Sequence, residues 1–306
     1  MSEVPDEVRA LAEAREGARR AGDYSRADEL RDRIHLAGFD VHDTPSGSEL
    51  TPRGPEAPEE SATVYARSQD VPSVLEGPPS FDGPAVQWVV QGWPEDVRRS
   101  VRSVGRTLSG DFQSIIVDAA GTGTLDWYRG HEVIHVMPAG GWAMAQNAGL
   151  RRAASEVVIL VDGSVEFVDD GLQELCEALR DPAVGVTGPF GIVTDDLHEF
   201  HESAGPEVDA VEGYVMAFRR ELVERGLRFD EKFKFYRTAD IELSFQIKAM
   251  GLRATVTPME VTRHEHRMWS STPEVERDRL SKRNFYRFLD KWRGRTDLLV
   301  SRSTRR

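Results

Sequence analysis

The stretch EVVILVDGSVEF, residues 156–167, decides how this chain folds. Val157 to Val161 are five apolar residues in a row, with the length and β-branching of a buried strand rather than a helix. Asp162 follows at the carboxyl end of that strand, so its carboxylate emerges at the rim; Gly163 allows close backbone approach and Ser164 adds a hydroxyl. Two readings stay open for this turn. A carboxylate and a hydroxyl at a rim can hold a divalent ion or a ribose, and the same residues can form a turn in which Asp162 bonds its own backbone.

Outward from there the pattern alternates. Upstream, AVQWVVQGW (85–93), FQSIIVDAA (112–120) and VIHVM (133–137) are strand-like, with amphipathic helical stretches at 95–108 and 141–154 between or after them. Downstream, DDGLQELCEALRD (169–181) is helical and VGVTGPFG (184–191) begins another strand. Strands alternating with helices of this length specify βαβ units and a largely parallel sheet, whose ligands sit beyond the carboxyl ends of the strands. Asp118 and Asp162 both fall at such ends.

Eight of the 16 prolines lie between Thr44 and Pro84, so residues 44–84 are expected to be a disordered Pro/Gly/Ser-rich linker. Before it, Val8, Leu11, Ala14 and Ala18, then Ala27, Leu30, Ile34 and Ala37, recur at helical spacing and predict a helical hairpin over 1–43. Ser25 with Asp28 gives a capping signal, and Gly38 with Phe39 a C-terminal cap. The expected boundaries are the hairpin at 1–43, the linker at 44–84, an α/β domain at 85–296 and a basic tail at 297–306.

The 306 residues carry a net charge of −13, and 39% are hydrophobic. That is enough for a core and the wrong sign for a duplex-binding protein, so nucleic acid is disfavoured as the main partner. No run of about 18 apolar residues predicts a spanning helix, and the opening MSEVPDEVRALAEAREG has no apolar leader core, which points to the cytoplasm. The single cysteine, Cys176, sits on a helical face with Leu172, Leu175 and Leu179 and is expected to pack.

FKFYRTADIELSFQIKAMG (233–251) is the densest feature. Asp240 stands at a helix start, where the dipole favours any carboxylate; beside Phe235 and Tyr236 it could equally have the basicity to take a hydroxyl proton. In RHEHRMW (263–269), His264 and His266 would share one side of a strand, as metal ligands or as salt-paired surface groups.

Four stretches, in order, resemble an inverting family-two glycosyltransferase of the GT-A fold. They are SIIVDAAGTGT (114–124), PAGGWAMAQNAGLRRAASEVVILVDGSVEF (138–167), VEGYVMAFRREL (211–222) and GLRFDEKFKFYRTADIELSFQIKAMGLRATVTP (226–258). The resemblance implies a Rossmann-like, mostly parallel sheet flanked by helices, preceded by the small helical hairpin and the Pro-rich linker. It implies transfer of a sugar from a nucleotide-diphosphate sugar to a saccharide, lipid-linked or protein acceptor. Asp118, Asp162 and Ser164 would bind the donor, Asp240 would be the general base, and Gly213 and Tyr236 would lie on the acceptor side. Asp162 and His264 would hold a divalent cation, Mn or Mg. Residues 14–47, AREGARRAGDYSRADELRDRIHLAGFDVHDTPSG, resemble the C-terminal helical segment of bacterial cysteinyl-tRNA synthetases. That segment is either RNA-facing, through Arg15, Arg19, Arg20, Arg26, Arg31 and Arg33, or a solvated hairpin that tethers a partner or holds a homo-oligomer. A lipid-linked acceptor would require peripheral docking at a membrane.

The departures from the pattern are specific. Asp162-Gly163-Ser164 lacks the final acid of Asp-x-Asp, with Glu166 as the nearest substitute. Ala239 replaces the acid that precedes the base, and QGWPED (91–96) replaces Thr-x-Asn. They fit altered metal dependence, and they fit equally a nucleotide-sugar-binding fold that has lost catalysis.

Overall fold

A computed structural model describes residues 4–21, 26–27, 30–31, 33–34, 37, 39–44, 47–52, 62–123 and 125–300. The chain divides into two compact units, Met1–Ser61 and Ala62–Arg306.

In the first unit, α1 (Asp6–Arg20) has Asp6 and Glu7 in its first turn and Arg19 and Arg20 in its last, the arrangement that complements the helix dipole. Of the second predicted helix, residues 26–27, 30–31 and 33–34 are helical, while Ser25, Asp28 and Gly38 of its predicted caps lie outside the described residues. After it, β1 (Phe39–Thr44) and β2 (Gly47–Pro52) pair antiparallel, so Thr44 and residues 47–52 of the expected linker are strand. Val8 and Ala12 of α1 meet Ile34, Phe39 and Val41 in a small core of their own.

The second unit is built on nine strands, introduced in chain order. These are β3 (Val64–Tyr65), β4 (Ala85–Val90), β5 (Gln113–Asp118), β6 (Glu132–Val136), β7 (Val157–Val161), β8 (Val184–Gly188), β9 (Glu207–Val208), β10 (Val215–Arg219) and β11 (Arg253–Val256). Their spatial order is β9-β11-β8-β10-β7-β4-β5-β6-β3. From β7 to β3 every neighbouring pair is parallel; β10 runs antiparallel to both β7 and β8, and β9 antiparallel to β11. This is the GT-A arrangement expected from the sequence, and its strands alternate by face. Val158 and Leu160 of β7 enter one core cluster, Ile159 and Val161 the other. Helix α2 (Pro94–Thr107) covers one face, where Trp88 Nε1–H donates to Ser100 Oγ at 2.9 Å. On the other lies α3 (Trp142–Leu150), buried on all sides.

The linker expectation fails again over 62–84, and the α/β unit starts well before Ala85. Strand β3 pairs with β6, Val71 is buried and Phe81 bridges to Ser155. Arginines hold this segment: the fully buried Arg220 donates through Nη2 to the carbonyls of Val74 (2.8 Å) and Gly77 (2.7 Å), and Arg151 Nε donates to that of Val71 at 2.6 Å. Prolines prevent a ladder here, but their carbonyls and neighbours still accept from side chains. The domain also runs past 296: Leu299 is buried and Val300 N–H donates to Asp209 Oδ1. Residues 301–306 of the predicted tail lie outside the described residues.

Two further pieces position the site. Asn147 of α3 and Phe229 exchange hydrogen bonds of 2.9 Å in both directions, which fixes the loop leading to α4 (Ala239–Ala249). Thr238, just before α4, has φ +71°, a left-handed backbone that a β-branched residue rarely adopts and that reverses the chain into the helix.

Candidate active site

The parallel strands end on one edge, where Asp162, Gly213, Tyr236 and Asp240 line a single cavity of about 440 Å³. That volume suits a small-molecule site. Arg237, Glu202, Glu212, Tyr214 and His266 line it too, and none of these was singled out as a site residue beforehand, apart from His266 as one of two histidines.

Asp240 sits in the first turn of α4. Gly213 N–H donates to its Oδ2 at 2.8 Å and Ile241 N–H to its Oδ1 at 2.9 Å. Each oxygen keeps a lone pair for a ligand. Burial pushes its carboxyl above the ordinary value, although these donors and the Arg237 charge pull the other way. A Cβ at Gly213 would stand 3.2 Å from Asp240 Cβ, a tight contact that would press on the carboxylate. Glu212 is also raised, first by burial and then by the Asp240 charge.

Asp162 follows its turn reading in part. Ser164 N–H and Oγ–H both donate to Asp162 Oδ1, at 2.9 and 2.5 Å. Its Oδ2 lies 3.2 Å from His266 Nε2. Burial raises the Asp162 carboxyl, but His266 and Ser164 more than offset this and hold it below the ordinary value. Burial likewise lowers His266, and Asp162 more than restores it, so His266 titrates above the ordinary imidazole value. The Tyr236 ring stacks on His266 at 4.3 Å, and burial raises the Tyr236 hydroxyl, which stays protonated.

The structure does not bring Asp118 and His264 to the cavity. Asp118 has no exposure: its carboxylate accepts the N–H groups of Ala120 and Thr122 and lies 3.0 Å from His135 Nδ1, so it closes its own turn. His264 Nε2 lies 2.9 Å from Glu166, which also binds Arg106. Glu166 is therefore not a substitute acid for Asp162. The two histidines do not share a strand face because the strand Val261–Arg263 ends before them. His266 caps the short helix Arg267–Ser271. Alternation was the wrong rule for this stretch. The signal that would have found His266 is the capping position before that helix.

Of the predicted cation pair, Asp162 and His264, the histidine lies beside the turn, its backbone N–H donating to the Ser164 carbonyl at 2.8 Å, but its ring is engaged by Glu166. Both oxygens of Asp162 already accept hydrogen bonds or an ion pair, and Ser164 spends its proton on Asp162. Among the described residues no three His, Cys, Asp or Glu side chains converge as a metal cluster. This donor set does not fit a resident divalent cation. Cys176 packs as expected, with burial pushing its thiol up to about 11.

The Asp162–His266 pair makes a testable contribution to stability. A raised His266 value means that its stabilisation is full below the unfolded value of about 6.5 and is lost as pH rises through the folded one. His266→Gln should cost about 1.5–3 kcal/mol at pH 6, as for a hydrogen bond to a charged group, and less at pH 9. Urea unfolding at both pH values measures this; a deficit independent of pH would refute the ionic pairing.

Residues 92–243 match the family described as Glycosyl transferase family 2. Residues 1–49 match the Cysteinyl-tRNA ligase anticodon binding domain. Over 46 residues the chain is 46% identical to the cysteine–tRNA ligase of Salinibacter ruber, which is 15% of this chain and 9% of that protein. The solved structure of GalNAc-T7 with UDP, GalNAc and Mn2+ superposes with a TM-score of 0.55 at 15% identity, over 71% of this chain and 49% of that one. The mannosyltransferase PcManGT from Pyrobaculum calidifontis, in complex with GDP-Man and Mn2+, superposes more loosely, with a TM-score of 0.47 at 20% identity over 62% of this chain and 59% of that one. The chain spans about half the length of the first of these structures and under a tenth of the ligase. Residues 92–243 are thus similar to glycosyl transferase family 2 and share the GT-A fold, and residues 1–49 are similar to the anticodon binding domain of cysteinyl-tRNA ligases.

Proposed function

We propose that this chain transfers a sugar from a nucleotide-diphosphate sugar to an acceptor hydroxyl, with inversion. The observation that carries the reading is that Asp240 and Asp162 line one cavity at the carboxyl edge of the sheet, as donor and acceptor machinery must. Asp240 has an open lone pair on each oxygen and a raised basicity, so it takes the acceptor proton as the oxygen attacks the anomeric carbon. The bond from that carbon to the diphosphate oxygen breaks on the opposite face, and its electron pair leaves with the diphosphate. Asp162, kept ionised by His266 and Ser164, orients the donor through its remaining lone pair. Tyr236 and Tyr214 offer apolar walls to the sugars. Asp118 braces the turn after β5 in this scheme and does not contact the base.

The test is a thermal-shift panel of nucleoside diphosphates and their sugars, each with Mn²⁺, with Mg²⁺ and with chelator. A ligand that binds only the folded chain raises the melting temperature. One selective nucleoside diphosphate is the expected result, and a flat panel at millimolar ligand would overturn the donor site. A bound donor with no turnover on any acceptor would leave a sensor, a reading with which the Ala239 substitution is compatible. The ligase-like segment supports an added RNA contact, which predicts salt-sensitive RNA binding that is lost when residues 1–43 are deleted.

A further inference from the structure

We infer that Arg237 binds the diphosphate of the donor and offsets the charge of the leaving group, the task for which the cavity has no cation site. This rests on the glycosyl-transfer reading and adds to it a residue to which the sequence alone assigns no role.

Four carboxylates, Asp162, Glu202, Glu212 and Asp240, line the cavity, in a chain of net charge −13. A diphosphate entering this field is repelled unless fixed cations meet it. Arg237, His198 and His266 are the basic side chains that line the cavity. His266 is committed to Asp162 at 3.2 Å. Arg237 is exposed at the cavity and has no carboxylate partner among the described residues. It lines the same cavity as Asp240, Glu212 and His266.

Arg237 is also held in place. Its guanidinium carbon lies 5.4 Å from the centre of the Trp269 ring, and Arg277 lies 4.6 Å from the same ring. The Arg237 carbonyl accepts from Asn284 Nδ2 at 2.8 Å, and the next residue, Thr238, carries the left-handed φ of +71°. A strained residue kept between a buried anchor and the helix that bears the base is a costly arrangement, of the kind that persists where it serves a site. The guanidinium fork matches phosphate oxygens two at a time, which an ammonium cannot do. As the anomeric carbon–oxygen bond breaks, the electron pair collects on the diphosphate oxygen that this fork meets. The proton of the acceptor goes to Asp240, so charge and atoms balance without a further reactant.

The test is titration of inorganic pyrophosphate, and of the nucleoside diphosphate selected by the panel, into the full chain in EDTA. Wild type is compared with Arg237→Gln and Arg237→Lys, and each variant is checked for an unchanged melting temperature. Binding by wild type without divalent cation is expected. Loss of roughly ten- to a hundredfold in Arg237→Gln, with part retained in Arg237→Lys, is expected for a charge-assisted fork. If the nucleoside diphosphate binds and Arg237→Gln binds it equally, this assignment fails and the donor site stands. If wild type binds it only once Mn²⁺ is added, the assignment also fails. If wild type binds neither probe under any condition, both this assignment and the glycosyl-transfer reading fall.

Discussion

Asp240→Asn should lower turnover at least about a hundredfold while donor binding is unchanged, because the amide is nearly the same shape but cannot accept the acceptor proton. The raised Asp240 value gives a second signature. The acid limb of the wild-type rate profile should lie above the ordinary carboxylate value, with activity lost as pH falls through it and regained as the base ionises. Residual activity in the variant should lack that limb. Asp162 titrates lower, so donor binding should survive at a pH where turnover has already fallen. Full turnover by Asp240→Asn would remove the base from the mechanism.

The largest loss of stability should come from a residue far from the chemistry. Lys248 Nζ lies 2.9 Å from Asp209 Oδ1, and both side chains are almost wholly buried. Asp209 also accepts the N–H groups of Thr194 and Val300, so one carboxylate ties α4, the strand edge and the chain's C-terminal segment together. Removing one partner of a buried pair leaves an uncompensated charge, at a cost of about 3–5 kcal/mol. Lys248→Met should lose about that much in urea unfolding. Adding Asp209→Asn should recover part of it, since the neutral amide keeps an acceptor oxygen for the backbone. Simple additivity of the two changes would refute the coupling.

The sheet was legible because its central strands are buried on both faces. Val157–Val161, Ile115–Val117 and Ala85–Val90 have no polar side to blur the pattern, apart from Gln87, which turns onto Gln146. The placing of Asp162 at the carboxyl end of its strand then followed from βαβ rules, whereas the strand order did not, and Asp240 was legible only as a carboxylate at a helix start. What failed depended on contacts distant in sequence. Nothing around Pro72 or Pro78 announces that Arg220 would hold that segment. Nothing in RHEHRMW says that the strand stops at Arg263 and gives His264 to Glu166 and His266 to Asp162. Asp118 and Asp162 are alike in sequence, but His135 and the following turn enclose the first, and only the second faces the cavity. Arg237 was invisible because an unpaired arginine looks like any surface charge until its neighbours are known.

The short strand β3 has a consequence for handling the protein. It is the outermost strand on its side and covers the edge of β6, whose backbone groups would otherwise be open to another chain. A shortened protein begun at Ala85, where the proline-rich stretch ends, would lose that cover together with the carbonyls that Arg220 holds. Such a fragment should clump by edge-to-edge pairing even though every residue at the cavity is present. Any attempt to isolate the catalytic half should therefore begin at or before Ala62.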